Sequence, residues 1–166
     1  NSRSGLMIGF LGGTGPAGRG IATRLAIAGE QIFIGSRNVV RANKVTNSIL
    51  TLLPNASVIG GLNMDAARKA DILFVTVPYA AQRSVLEEVS FVLKNKIVVN
   101  TVSPIKFRRK TAQPITVEAG SAAIESQDIL PNSTVVAAFH TISADNLLAV
   151  DILLDTDIIV CSDNLK

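Results

Sequence analysis

Leu6-Met7-Ile8-Gly9-Phe10-Leu11 runs directly into Gly12-Gly13-Thr14-Gly15-Pro16-Ala17-Gly18-Arg19-Gly20, and that into Ile21-Ala22-Thr23-Arg24-Leu25-Ala26-Ile27-Ala28. The first six residues are a short apolar run ending in glycines, which predicts a buried strand. The last eight repeat apolar residues at helical spacing, with Gly29 where a helix C-cap belongs. Between them, Gly13, Gly15 and Gly18 fit G-x-G-x-x-G. Alone that pattern is common. Placed after a strand, at the start of a helix and ahead of a second strand (Gln31-Ile32-Phe33-Ile34), it is a dinucleotide-binding fingerprint. The first glycine is expected to permit the tight turn, the second to let backbone approach a pyrophosphate, and the third to let helix pack on sheet. Thr14, Pro16 and Ala17 complete the loop, whose helix N-terminus offers N–H groups to phosphate. A Walker loop is excluded because Arg19-Gly20 stands where Lys and a hydroxyl residue are needed. No G-x-S-x-G nucleophile elbow occurs.

Outward from this stretch, strands and helices alternate. Val39 to Leu53 reads as a helix stopped by Pro54, and Ser57-Val58-Ile59 as a short strand. Asn63 is placed to cap a brief helix through Ala70. Asp71 to Val77 is the strongest strand signal, stopped by Pro78; Ala80 to Leu93 is an amphipathic helix; Lys96 to Asn100 is a strand. Residues 101–120, with their prolines and basic run, read as loop. A helix over Ser121 to Leu130, a strand over Ser133 to Ala138 and a last strand over Asp157 to Val160 follow. This order predicts an α/β fold, a Rossmann-like doubly wound and mostly parallel sheet with helices on both faces. The 166 residues, 48% hydrophobic and without a linker, fit a single domain over 1–166.

Composition narrows function. Aromatics are 4% and Trp is absent, which argues against a stacking platform for single-stranded nucleic acid. One Cys (Cys161) and one His (His140) exclude an intrachain disulfide, a Cys-based zinc site and a multi-His metal centre. No apolar run nears the roughly 20 residues of a membrane span, and Asn1 to Gly5 does not open a signal peptide. The expectation is a soluble, cytoplasmic protein with neither nucleic acid nor membrane as partner. Residues 1–110 hold 15 Lys/Arg against 5 Asp/Glu, net +10; residues 111–166 hold 1 against 8, net −7. The basic N-terminal part suits an anionic ligand.

The end of the second strand selects the nucleotide. Chains that bind NAD place Asp or Glu there, for the ribose 2′-OH. Here Gly35-Ser36-Arg37 is followed one helical turn later by Arg41. A hydroxyl and two guanidinium groups suit a 2′-phosphate, which a carboxylate would repel. NADP(H) is the expected cofactor.

At these residues the chain resembles the F420-dependent NADP reductases. The likeness covers Gly9 to Gly15 with Gly18-Arg19-Gly20, then Ile34-Gly35-Ser36-Arg37, Thr76-Val77-Pro78-Tyr79, Gly120-Ser121-Ala122-Ala123, and Val135 to Thr141. The resemblance implies hydride transfer between NADP(H) and the deazaflavin coenzyme F420, with no obligatory acid–base residue and no metal. It implies that Thr76, Val77, Pro78 and Tyr79 lie beside the nicotinamide and ribose, and that His140 is a candidate in the coenzyme pocket. Val102, Ser103 and Pro104 follow a strand C-terminus, where ligands bind in open α/β sheets. The family's fold continues beyond the residues matched here and assembles as a homodimer. Lys106-Phe107-Arg108-Arg109-Lys110 is either a contact for the coenzyme's phosphate or glutamyl tail or a solvated loop. Two other functions stay open: an NADPH-dependent flavin or ferric reductase, and a non-catalytic NADP-binding regulatory module.

Overall fold

The computed structural model describes residues 5–108 and 111–164. Arg109 and Lys110 of the basic run lie outside the described residues.

Apolar residues of the central strands point to both faces of the sheet, and helices close over both faces. β1 (Met7–Leu11) leads through α1 (Pro16–Ile27) to β2 (Gln31–Ser36), and α2 (Val39–Leu52) leads to β3 (Val58–Leu62). α3 (Asn63–Lys69) then returns the chain to β4 (Ile72–Val75), which pairs with the other side of β1. α4 (Tyr79–Val89) connects to β5 (Ile97–Asn100). After it come the hairpin β6 (Ile105–Arg108) and β7 (Thr111–Pro114), then α5 (Ala122–Ile129), β8 (Thr134–Ala138), α6 (Ala144–Leu148) and β9 (Val160–Cys161). The sheet order is β3-β2-β1-β4-β5-β8-β9. Its first six strands are parallel, and β9 alone is antiparallel. That is the 3-2-1-4-5-6 order of a doubly wound sheet with one edge strand added.

On one face Ile8 and Phe10 of β1, Ile32 and Ile34 of β2 and Phe74 of β4 meet Ile21 and Ala22 of α1, Val45 and Ile49 of α2, and Leu147 of α6. On the other, Leu11, Leu73, Val75 and Val98 meet Ala67 of α3, Val85, Leu86 and Val89 of α4, and Leu130. The strands of β1 and β2 are buried on both sides, as their near-continuous apolar runs require.

Four expectations need correction. α1 starts at Pro16, not after Gly20, because Pro suits the first helical position and Gly18 and Gly20 are tolerated within the helix for their lack of bulk. Residues 101–120 are not all loop: Ile105 to Arg108 pairs with Thr111 to Pro114. Both strands are largely exposed, so no burial pattern announced them. The last strand pairs at Val160–Cys161, as a two-residue antiparallel edge, rather than over Asp157 to Val160. Asn63 does not cap α3: Leu62 holds the cap position and Asn63 turns its side chain to the glycine loop. Five-residue α6, capped by the Ser143 hydroxyl accepting from Asn146 N–H, was too short to register as a period.

Candidate functional site

The strand order reverses between β1 and β4, and the crevice at their C-terminal ends is where such sheets bind ligands. A cavity of about 970 Å³ opens there. It takes its walls from the glycine loop, the end of β2, the β4–α4 and β5–β6 connections, and the segment from Phe139 to Leu147.

The tight turn falls one residue earlier than expected. Gly12, not Gly13, has a positive φ of 70°, and a Cβ there would lie 2.5 Å from the Val77 side chain. Gly13 is buried beneath the loop, close on Phe10 and Ile34, and its N–H donates to the Gly35 carbonyl at 2.9 Å. Asn63 Oδ1 accepts from Gly12 N–H at 3.1 Å, so a side chain 51 residues away fixes the loop. Gly18 packs helix to strand: a Cβ would fall 2.7 Å from Thr76 Oγ1 and 2.9 Å from the Gly13 Cα. Thr76 Oγ1 in turn donates to the Leu11 carbonyl at 2.9 Å, tying the ends of β1 and β4 together.

Gly15 differs from its neighbours. A Cβ there meets nothing closer than the Gly12 carbonyl at 3.8 Å, and the residue lines the cavity. It is the N-cap of α1 with no side-chain cap, Pro16 follows without an N–H, and the first turn holds no acidic residue. The helix end therefore presents N–H groups and positive dipole to the cavity, with no side-chain cap among the described residues competing for them. That is what a pyrophosphate needs. At the end of β2 the buried Ser36 accepts from Asn38 N–H, and Asn38 caps α2 through Arg41 N–H. Arg37 and Arg41 are exposed on the cavity rim, and among the described residues neither has an ionic partner.

Thr14, Gly15, Pro16, Ala17, Ser36, Arg37, Arg41, Thr76, Val77, Pro78, Tyr79, Val102, Ser103 and His140 thus share one cavity. Gly13 and Gly18 support it from beneath. Pro104 stands outside the lining, its carbonyl accepting from Ile115 N–H at 2.7 Å to hold the base of the hairpin. Of the basic run, Phe107 lines the cavity together with Ile105, while Lys106 and Arg108 are exposed away from it.

Two supports escaped the reading of the sequence. Asn100 and Gln82, both 0% exposed, form a buried polar cluster at the end of β5. Asn100 Nδ2 donates to Gln82 Oε1 and to Ser126 Oγ, each at 2.8 Å, and Asn100 Oδ1 accepts from Val102 N–H at 2.9 Å. The cluster aims the Thr101–Ser103 wall. On the opposite wall the Arg24 guanidinium donates to the carbonyls of Asn146, Leu147, Ala149 and Ile152 at 2.7–3.2 Å. It pins α6 to α1 and satisfies carbonyls at the helix C-terminus. Phe139 precedes His140 with a left-handed φ of 67°; its ring packs edge-on to Phe74 at 5.7 Å, and the reversal leaves His140 facing the cavity.

The sequence profile of the family described as NADP oxidoreductase, coenzyme F420-dependent, matches residues 7–104. The chain belongs to this family. The F420-dependent NADP reductase of Methanothermobacter thermautotrophicus (strain Delta H) is 36% identical over 165 residues, which is 96% of this chain and 71% of that protein. That of Methanocaldococcus jannaschii is 33% identical over 165 residues, 96% of this chain and 74% of that one. A crystal structure from Arthrobacter sp. FB24, assigned as an F420-dependent NADP-reductase, superposes with a TM-score of 0.78 at 24% identity, covering 97% of this chain and 75% of that one. At that identity it speaks for the fold alone. The profile of the F420-dependent oxidoreductases ends before the hairpin and His140; the two relatives carry the likeness across them.

A second cavity of about 950 Å³ lies between α5 and the β8–β9 edge. Among the described residues it holds Asp128 and Asp163 and no cationic side chain, which does not suit a nucleotide phosphate.

Proposed function

We propose that this chain transfers a hydride directly between NADP(H) and coenzyme F420. The observation that carries this is the single cavity at the strand switch point, which joins an open helix N-terminus and an acid-free, Arg-lined β2 end to a largely apolar chamber faced by His140. When bound, the coenzymes supply the chemistry: a hydride leaves C4 of the reduced nicotinamide with its electron pair and bonds to C5 of the oxidised deazaflavin, and a proton from water completes the reduced coenzyme. The protein's work is positioning, since two flat rings must be held about 3–3.5 Å apart at the reacting atoms. The N–H groups of Ala17 and Gly18, with the bare backbone of Gly15, hold the pyrophosphate. Ser36, Arg37 and Arg41 hold the 2′-phosphate. Thr76 to Tyr79 and Thr101 to Ser103 place the nicotinamide. His140 orients the deazaflavin from the opposite wall, and Ile105 and Phe107 keep water from the rings.

The same reading has the protein working in the cytoplasm as a homodimer. No helix among the described residues is long and apolar enough to cross a membrane. Sedimentation tests the dimer. The activity is tested by mixing the protein with NADPH and oxidised F420, FMN or a ferric complex. Loss of the deazaflavin's visible absorbance, dependent on NADPH and reversed by NADP with reduced coenzyme, is the expected outcome. Reduction of FMN or iron without F420 would make it a different NADPH reductase, and tight NADPH binding with no acceptor would make it a regulatory module.

A further inference from the structure

Beside the main cavity lies a smaller cleft of about 350 Å³, lined by Thr14, Arg19, Arg41, Lys44, Val45 and Ser48. Thr14 and Arg41 line both cavities, so the two meet at the glycine loop. On α2, Arg41, Lys44, Val45 and Ser48 recur at i, i+3, i+4 and i+7, which puts them on one face. Val45 is buried in the core and forms the floor; the cations and the Ser48 hydroxyl stand above it. Arg19 reaches in from α1.

The charges in this cleft have no acidic counterpart among the described residues. Neither α1 nor α2 contains an Asp or Glu. Among the described residues the ion pairs are Arg83 with Glu87 and with Glu125, so Arg19, Arg41 and Lys44 have no acidic partner. Three like charges around a hydroxyl-bearing concavity repel one another unless an anion sits among them. A phosphate monoester carries a charge of about −1.5 to −2 at neutral pH and three acceptor oxygens, which match such a group of donors.

We infer that this cleft is the seat of the nucleotide's 2′-phosphate, and that Arg19 and Lys44 are specificity-determining residues for NADP(H) over NAD(H). The inference rests on the NADP half of the proposed function. Ser36 and Arg37 hold the ribose side of the phosphate at the mouth, while Arg41, Lys44 and Arg19 surround its outer oxygens. Arg41, lining both cavities, joins the two sets.

The test is calorimetric titration of the protein and of Arg19→Gln, Lys44→Gln and the double variant with NADPH, NADH, 2′,5′-ADP and 5′-AMP. Both positions are exposed, and Gln keeps helix propensity, so thermal melting should not change. Each single substitution should weaken NADPH and 2′,5′-ADP roughly three- to tenfold, as for a charge-assisted contact at a partly open site. The double variant should lose about the product. NADH and 5′-AMP, which lack the 2′-phosphate, should change less than about twofold. Unaltered NADPH affinity in the double variant, or equal loss for both nucleotides, overturns the inference. Inorganic phosphate should compete with 2′,5′-ADP for the protein; phosphate that still binds when NADPH is saturating marks a free-phosphate site instead and also overturns it. The two levels separate cleanly. A protein that binds NADPH and NADH alike removes the NADP reading itself, whereas an NADP preference that is undiminished in the double variant removes only the role of Arg19 and Lys44.

Discussion

The two sides of the cavity are built differently. On the nucleotide side, β1, the glycine loop, β2 and the start of α2 lie within residues 7–41, and apart from the Asn63 and Thr76 side chains the hydrogen bonds that shape the loop and the β2 end fall inside that stretch: Gly15 N–H to the Gly12 carbonyl, Asn38 N–H to Ser36, Arg41 N–H to Asn38. On the acceptor side, the walls at Thr101–Ser103 and Phe139–Leu147 are held by side chains from elsewhere in the chain. Asn100 reaches 26 residues to Ser126, and Arg24 reaches 122 to 128 residues to the carbonyls around α6. The nucleotide side is also basic, and the chain beyond residue 110 is acidic. The difference teaches that a nucleotide site can be written largely as a local motif, while the surface proposed to meet the second coenzyme is an assembly of long-range contacts.

The sharpest way to break the first side is Gly15→Val. The position has open space over it, so the branched side chain fills the room of the pyrophosphate without touching the fold. NADPH affinity should fall by roughly 100-fold or more with little change in melting temperature. Retained binding by calorimetry would mean that the pyrophosphate lies elsewhere.

Asn100→Leu attacks the second side. It leaves the buried Val102 N–H without its acceptor and strips partners from Gln82 and Ser126. Each buried polar group so orphaned costs about 1–3 kcal/mol, so denaturant unfolding should show a loss of about 2–4 kcal/mol. Turnover should fall more than NADPH affinity if, as proposed, the displaced wall places the nicotinamide. A loss under about 1 kcal/mol would show that the cluster is replaceable and the wall held by something else.

Arg37→Ala is the mildest, and sharpens the comparison within the nucleotide side. NADPH should weaken by about 1.5–3 kcal/mol, the range for a hydrogen bond to a charged group, with NADH almost unchanged. Equal loss for both would place Arg37 on the pyrophosphate or in the fold.

The same contrast explains what could be read in advance. The doubly wound sheet was legible because Phe10, Leu11, Ile32, Ile34, Leu73 and Val75 are buried and their runs are punctuated by Gly and Pro. The loop and the β2 end were legible because glycine spacing and the missing carboxylate are local facts. Asn63 reads as a helix cap because that local role is a common one, and only the folded sheet brings it to Gly12. Nothing in the local sequence marks Arg24, because its acceptors lie 122 to 128 residues away. The hairpin's alternation from Ile105 to Arg108 was obscured because both its strands are largely exposed, so burial gave no one-sided pattern to read. The shift of the turn from Gly13 to Gly12 is not legible because Gly12 directly precedes the first glycine of the motif, and spacing does not say which of two adjacent glycines takes the positive φ.

Direct transfer between two rings in one cavity is the central claim, and isotope tracing tests it without reference to any mutation. The protein is given oxidised F420 and NADPH carrying deuterium on one or the other face of C4, in ordinary water, and the reduced deazaflavin is examined by mass spectrometry. One of the two diastereomers should deliver its deuterium to C5 in full, with none washed out to solvent, because the hydride moves ring to ring across a site that fixes which nicotinamide face is presented. Reduced F420 without label from either diastereomer, or no reduced F420 at all while NADPH remains bound, would contradict it.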